Sequence, residues 1–130
     1  MAVFVNYSNH EFNTWSEQQL AAARSLGDLK YRPFPEIDPT WDAEQIKGFA
    51  LEKAKELMAE YPDNQQVVFH IQGEMTFLFA LIQVLLQNGY RCLASTTKRF
   101  DQRLPDGRIV KNFQFWDFRD YTLVAPSPLR

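Results

Sequence analysis

The hydrophobic pattern along the chain switches between a strand period and a helix period. "VFVNYS" (3–8) is β-branched and aromatic and predicts a strand. "TWSEQQLAAARSLG" predicts a helix in which Ser16 caps, Gln19 completes a capping box, Trp15 staples onto Leu20 and Gly27 marks the stop. "LKYRPF" (29–34) alternates as a second strand, with Pro33 pointing to its end or to a sheet edge. In "WDAEQIKGFALEKAKELMAEY", Ile46, Phe49, Ala50, Ala54, Leu57, Met58 and Tyr61 recur at helical spacing and define a buried face. "QQVVFHIQG" (65–73) predicts a central strand, with His70 a satisfied core histidine. "EMTFLFALIQVLLQNG" predicts a helix apolar on nearly every side, hence buried, and stopped by Asn88-Gly89. "YRCLASTT" follows as a fourth strand. "KRFDQRLPDGRIVKNFQFWDF" then predicts an antiparallel hairpin about Pro105-Asp106-Gly107, packed through Phe113 and Phe115, with Trp116 and Phe118 as further candidates.

The order β-α-β-α-β-α-β plus hairpin predicts an α/β fold: a Rossmann-like, mostly parallel sheet with helices on both faces and a C-terminal antiparallel β-hairpin. One domain is expected over residues 1–121, followed by an extended Pro-rich tail, "TLVAPSPLR" (122–130). In such sheets ligands bind in the crevice beyond the carboxyl ends of the strands. Three stretches should meet there: Ser8-Asn9-His10, Gly73-Glu74-Met75-Thr76, and Ser95-Thr96-Thr97-Lys98-Arg99.

Composition narrows the classes. An apolar fraction of 45% suits a folded globular chain. The lone Cys92 rules out an intramolecular disulfide framework and fits a reducing cytoplasm. "MAVFVNYSNHEF" has no basic n-region and does not read as a signal peptide, and "MTFLFALIQVLL" is too short to span a bilayer. A net charge of −2 gives no case for stable binding to long nucleic acid. The charge is nevertheless uneven: residues 1–90 hold six Lys/Arg against twelve Asp/Glu, whereas residues 91–130 hold eight against four. The C-terminal part is therefore the side suited to an anionic ligand, although a plain surplus of surface cations gives the same count.

Each candidate has a structural reading beside the chemical one. Gly73 allows a tight turn that would aim the amides of Glu74 to Thr76 at a phosphate, or Glu74 and Thr76 simply cap the helix. The hydroxyls of Ser95, Thr96 and Thr97 beside Lys98 and Arg99 suit phosphate oxygens, or they serve the sheet backbone. His10 is a loop histidine able to move a proton or to bind a base edge, or it has no role. Arg119 closes the second hairpin strand near the sheet, while Arg103, Arg108 and Lys111 read as solvated hairpin surface. Two histidines and one cysteine show no metal-ligand spacing, and no G-x-G-x-x-G, phosphate-loop or G-x-S-x-G pattern occurs.

"HIQGEMTFLFALIQVLLQNGYRCLASTTKR" followed by "LPDGRIVKNFQFWDFRDY" resembles small stand-alone CRISPR-associated proteins related to the CARF (CRISPR-associated Rossmann fold) domain. More narrowly, it is similar to the single-domain ring nucleases of type III CRISPR systems. The shared pattern is a strand ending in Q-G-[ED], a Thr-bearing apolar helix, an A-[ST]-[ST] strand end and a D-G hairpin closing in an aromatic-Arg-x-Tyr run. "VFVNYSNH" is a weaker match, and the family often has an acidic residue where Lys98 stands. The resemblance implies a cytoplasmic, homodimeric, nucleotide-binding hydrolase of antiviral defense. It would hold a cyclic oligoadenylate across its two-fold axis and cleave it without metal or cofactor. The ligand-binding set would be Ser8, Asn9, Gln72, Gly73, Met75, Thr76, Ser95, Thr96, Thr97 and Arg119, and the catalytic set His10, Glu74, Lys98 and Arg99. A non-catalytic sensor or sponge, or an interaction module without a small ligand, fits the same residues.

Overall fold

Strand β1 (Val3–Ser8) leads through a single 3-10 turn, Phe12–Thr14, into helix α1 (Glu17–Arg24), in a computed structural model that describes residues 2–124. Strand β2 (Asp28–Pro33), helix α2 (Ala43–Glu60), strand β3 (Val67–Gln72), helix α3 (Met75–Gln87), strand β4 (Arg91–Arg103) and strand β5 (Ile109–Asp120) follow. The expected tail lies, for residues 125–130, outside the described residues. The five strands form one sheet in the order β2-β1-β3-β4-β5, parallel through β4, with β5 antiparallel. The fold is therefore the α/β, mostly parallel sheet that the alternating periods predict.

Core placement follows from strand position. β1 and β3 sit centrally and are buried on both faces along almost their whole length, as their near-continuous apolar sequences require. α2 and α3 cover one face, where Leu57, Phe77, Leu81 and Leu85 are fully buried. α1 covers the other, over a smaller cluster of Phe4, Trp15, Ala23, Val68 and Leu93, with Leu20 and Phe118 packed at its margin. Pro33 ends β2, which is an edge strand, so its missing donor costs the sheet nothing. α3 stops in a Schellman arrangement: Gly89, at φ +81°, donates to the Leu86 carbonyl and Tyr90 donates to that of Leu85.

Two expectations are corrected. The hairpin is not a separate unit, because β4 runs unbroken from Arg91 to Arg103 and supplies its first strand. No Gly or Pro interrupts residues 93–103, so nothing stops the strand at Thr97. From Ala94 onward β4 pairs with β5 alone, giving a two-stranded ribbon about 30 Å long at ~3.3 Å per residue. Its packing is also selective: Phe115 is buried and Phe118 half-buried, whereas Phe113 and Trp116 are 67% and 60% exposed. Gly73 makes the tight turn expected of it, standing alone between Gln72 of β3 and the Glu74 cap of α3, and it does so without a positive φ. It is a close-approach glycine: a Cβ there would lie 2.3 Å from Cε2 of the buried Phe34 ring.

Candidate functional site

The site begins where β4 leaves β3. These strands pair at only three positions, ending at His70–Leu93, whereas β1 and β3 stay paired to Ser8–Gln72. Beyond His70, the end of β3 and the diverging Ala94–Thr97 stretch of β4 enclose a crevice with two chambers that share Gln72 and Ser95. The chamber on the α1 side has a volume of about 510 Å³ and is lined by His10, Trp15, Gln19, Thr97, Phe113 and Phe115, among others. The chamber on the α3 side, about 470 Å³, is walled by Ile71, Gly73, Met75, Leu78, Phe79, Ala94 and Tyr121. No Lys, Arg, Asp or Glu lines either one.

The first chamber gathers His10, Gln72, Ser95 and Thr97 from the predicted set, and the second gathers Gln72, Gly73, Met75 and Ser95. The cations sort by strand alternation. Arg99 pairs with Phe113, and Thr97 with Phe115, so Arg99 shares the chamber's face of the ribbon at its outer rim. Lys98 projects to the opposite face, its ammonium 5.0 Å from the Trp116 ring centroid. Arg119 sits opposite Ala94 in the register, exposed and without a carboxylate partner among the described residues.

Other members of the set are held in structural roles. Ser8 is fully buried; its hydroxyl donates to Asn6 Oδ1 at 2.6 Å and accepts the His10 amide at 3.1 Å. Asn9 is exposed in the bend after β1 and lines neither chamber. The Thr96 hydroxyl donates to the Asp117 carbonyl at 2.8 Å and accepts the Asp117 amide at 3.2 Å, bracing the β-bulge at Trp116. Of the two readings left open at this helix start, Glu74 takes the capping one. Its carboxylate accepts the amides of Thr76 (2.9 Å) and Phe77 (2.8 Å) and the Thr76 hydroxyl, capping α3 itself. These hydrogen bonds, the Thr76 hydroxyl's foremost, hold its pKa below the ordinary value. Glu74 thus occupies the helix N-terminus that in the other reading would bind an anion, and it stays ionised at neutral pH.

Beneath the first chamber runs a buried polar chain that sequence reasoning missed. Asn6 and His70 are register partners on β1 and β3, and Ser95 lies two residues beyond His70's partner Leu93. Asn6 Nδ2 donates to the His10 carbonyl at 2.7 Å, which turns Oδ1 toward Ser8 and His70. His70 Nδ1 lies 3.1 Å from Asn6 Oδ1, and Nε2 lies 2.7 Å from Ser95 Oγ. The Asn6 orientation assigns the proton to Nδ1, so Nε2 accepts the Ser95 hydroxyl proton. Ser95 Oγ in turn accepts Gln19 Nε2 at 3.0 Å. Gln19 therefore makes only half of the expected capping box: its backbone N–H donates to the Ser16 hydroxyl, while its side-chain amide, instead of returning to the Ser16 backbone, donates to Ser95 on β4.

Electrostatics follow from this enclosure. Phe4 stacks on the His70 ring, and Trp15 and Phe118 meet it edge-on. Burial among them, with His10 nearby, pushes the His70 pKa down to about 4, so the imidazole is neutral at physiological pH. Ser95 has spent its only proton on His70 and one lone pair on Gln19, and it offers the crevice its remaining lone pair. At the chamber floor, Ser95 is an acceptor.

No curated protein and no solved structure matches the chain. A family model does: the one described as "Uncharacterized protein MJ1673 family" matches residues 2–119, and the chain belongs to that family.

Proposed function

We propose that this chain binds a cyclic oligoadenylate in the crevice where β4 diverges from the end of β3 and cleaves it without metal. The observation that carries the reading is the graded chemistry of the larger chamber: an uncharged floor of Gln72, Ser95 and Thr97, aromatic walls from Trp15, Phe113 and Phe115, and Arg99 at the rim. An adenine suits the aromatic walls. Phosphates suit the Arg99 rim and the Thr97 hydroxyl. A ribose hydroxyl, which can donate, suits the acceptor presented by Ser95. Cleavage would proceed by attack of a ribose 2′-oxygen on its adjacent phosphorus, the 2′-hydroxyl proton passing to water as the P–O5′ bond breaks, leaving a 2′,3′-cyclic phosphate and a 5′-hydroxyl. His10, exposed at the mouth, is the group suited to protonate the departing 5′-oxygen.

The reading includes a homodimer, since a ring needs a site on each side of a two-fold axis. Met75 and Phe79, 79% and 67% exposed on one face of α3 beside the second chamber, are suited to such a contact. No helix among the described residues is long and apolar enough to cross a membrane, and we assign the protein to the cytoplasm, where type III CRISPR signalling would be down-regulated. A sensor or sponge without turnover is the second reading. It is favoured by the commitment of Glu74 to capping α3, which leaves fewer groups to move protons.

The test is incubation of the full chain with cyclic tri-, tetra- and hexa-adenylate in the presence of a chelator, followed by chromatography. Linear products ending in cyclic phosphate are expected, with binding weakened at least tenfold by Thr97→Ala/Arg99→Ala. Intact ring with a thermal shift would establish the second reading. No shift with any ring would overturn both.

A further inference from the structure

We propose that Ser95 is a nucleophilic serine, with His70 as its general base, Asn6 as the residue that positions His70, and Gln19 as the donor to the developing oxyanion. The activity this predicts is acyl transfer from a small uncharged ester. It goes beyond nucleotide binding and does not depend on it.

Geometry carries the assignment. A nucleophile within hydrogen-bond reach of a base, with the base held by a third group, is the arrangement that activates a hydroxyl. Here the two links are 2.7 Å, Ser95 Oγ to His70 Nε2, and 3.1 Å, His70 Nδ1 to Asn6 Oδ1. The tautomer is the productive one, because Asn6 Oδ1 takes the Nδ1 proton and leaves the Nε2 lone pair facing the serine. Ser95 lines both chambers, so its free lone pair is open to an incoming carbonyl carbon. Gln19 Nε2, 3.0 Å from Oγ, is close enough to follow the charge onto the carbonyl oxygen as Oγ becomes bonded. The absence of ionised side chains from the lining favours a neutral electrophile, and the aromatic walls favour an apolar leaving group.

In the step, Ser95 Oγ bonds to the carbonyl carbon while its proton passes to His70 Nε2. The bond from carbon to the leaving oxygen breaks, and that oxygen takes the proton from His70. Water, delivered with the help of the same imidazole, later hydrolyses the acyl-serine and restores the free hydroxyl. His70 has no carboxylate behind it, so the transient imidazolium is stabilised by the Asn6 dipole alone and the reaction is slow.

The test uses the full wild-type chain and diisopropyl fluorophosphate, with the adduct located by peptide mass spectrometry, and then p-nitrophenyl acetate for turnover. The expected result is one adduct at Ser95, with Ser8, Ser16 and Ser25 unlabelled as internal controls, and with labelling lost on unfolding in urea. No adduct, or adducts spread over the serines, would overturn the proposal without recourse to any variant. His70→Gln should slow labelling about a hundredfold, the usual contribution of a general base. An unchanged rate in the folded variant would remove His70 from the assignment. Asn6→Asp should raise the His70 pKa, read by NMR, and accelerate labelling, changes that a merely structural Asn6 would not produce. Cyclic oligoadenylate should protect Ser95. Labelling without protection would uphold the serine and count only against the nucleotide reading.

Discussion

Acidification should destabilise this protein well before its carboxylates titrate, and His70 is the reason. Its imidazole is 1% exposed and enclosed by Phe4, Trp15 and Phe118. Protonation would not break the hydrogen-bond chain outright. Ser95 could rotate to accept from Nε2, and Asn6 Oδ1 would keep the Nδ1 proton, so the cost is mainly desolvation of the cation. The folded pKa is about 4 against an ordinary histidine value of 6.5. The unfolded chain thus binds the extra proton first. Stability is complete above the unfolded value and declines as pH falls toward 4, where the native state also protonates. The limiting loss is about 3 kcal/mol, and roughly 2 kcal/mol of it should be gone by about pH 5. Urea unfolding followed by tryptophan fluorescence at about pH 7 and pH 5 measures the loss, and Trp15 reports locally, 5.0 Å from the imidazole. NMR titration gives the folded pKa directly. Stability flat to within about 0.5 kcal/mol, together with a His70 pKa near the ordinary histidine value, would refute the reasoning.

Two further perturbations probe the frame around the crevice. Gly73→Ala would drive a Cβ into the Phe34 ring, which is wedged between Tyr7 and Phe77, and should cost about 1–3 kcal/mol in urea unfolding; an unchanged midpoint would mean that the ring moves aside freely. Glu74→Ala removes the carboxylate that caps α3 and should cost about 1 kcal/mol at neutral pH. Because the Glu74 pKa is depressed, that contribution is present above the ordinary glutamate value and is lost as pH falls through the folded one, so wild type and variant should converge in acid.

The elements were legible because local signals agreed with the global fold. β1 spans the residues that its composition predicts, and the helical spacing of Ile46, Ala50, Ala54 and Leu57 marks the face that α2 buries. His10, Ser95 and Thr97 could be placed near one another from the strand-end rule alone, and Gln72 came only from the resemblance. Gln19, Phe113 and Phe115 could not. Gln19 carries a capping signal that hides its reach to β4, and the inward choice between Phe115 and Trp116 depends on the bulge. There Thr96 pairs with Asp117 but Thr97 with Phe115, leaving Trp116 without a partner. The Asn6–His70–Ser95 chain was hidden for a related reason. Its members are 64 and 25 residues apart, and only the register of three strands brings them together.

The departure of β4 from β3 also decides which ligand groups the floor can accept. A sheet paired to its end would satisfy the backbone around Gln72 and Ser95 and leave no opening between them. Here the ribbon diverges, the bulge turns Phe115 inward, and the two chambers meet over Ser95. Three hydroxyls in a row suggest a phosphate cradle, but their proton accounting separates them. Thr96 donates to the Asp117 carbonyl and Ser95 to His70, so among these residues only the hydroxyl of Thr97 has no protein acceptor among the described residues. A phosphate oxygen, being acceptor-only, therefore gains a donor from Thr97 and none from Ser95. A ribose hydroxyl or an electrophilic carbon is what the Ser95 lone pair can receive. Any ligand that spans the crevice should accordingly place its anionic part toward Thr97 and Arg99 and its donor or electrophile over Ser95.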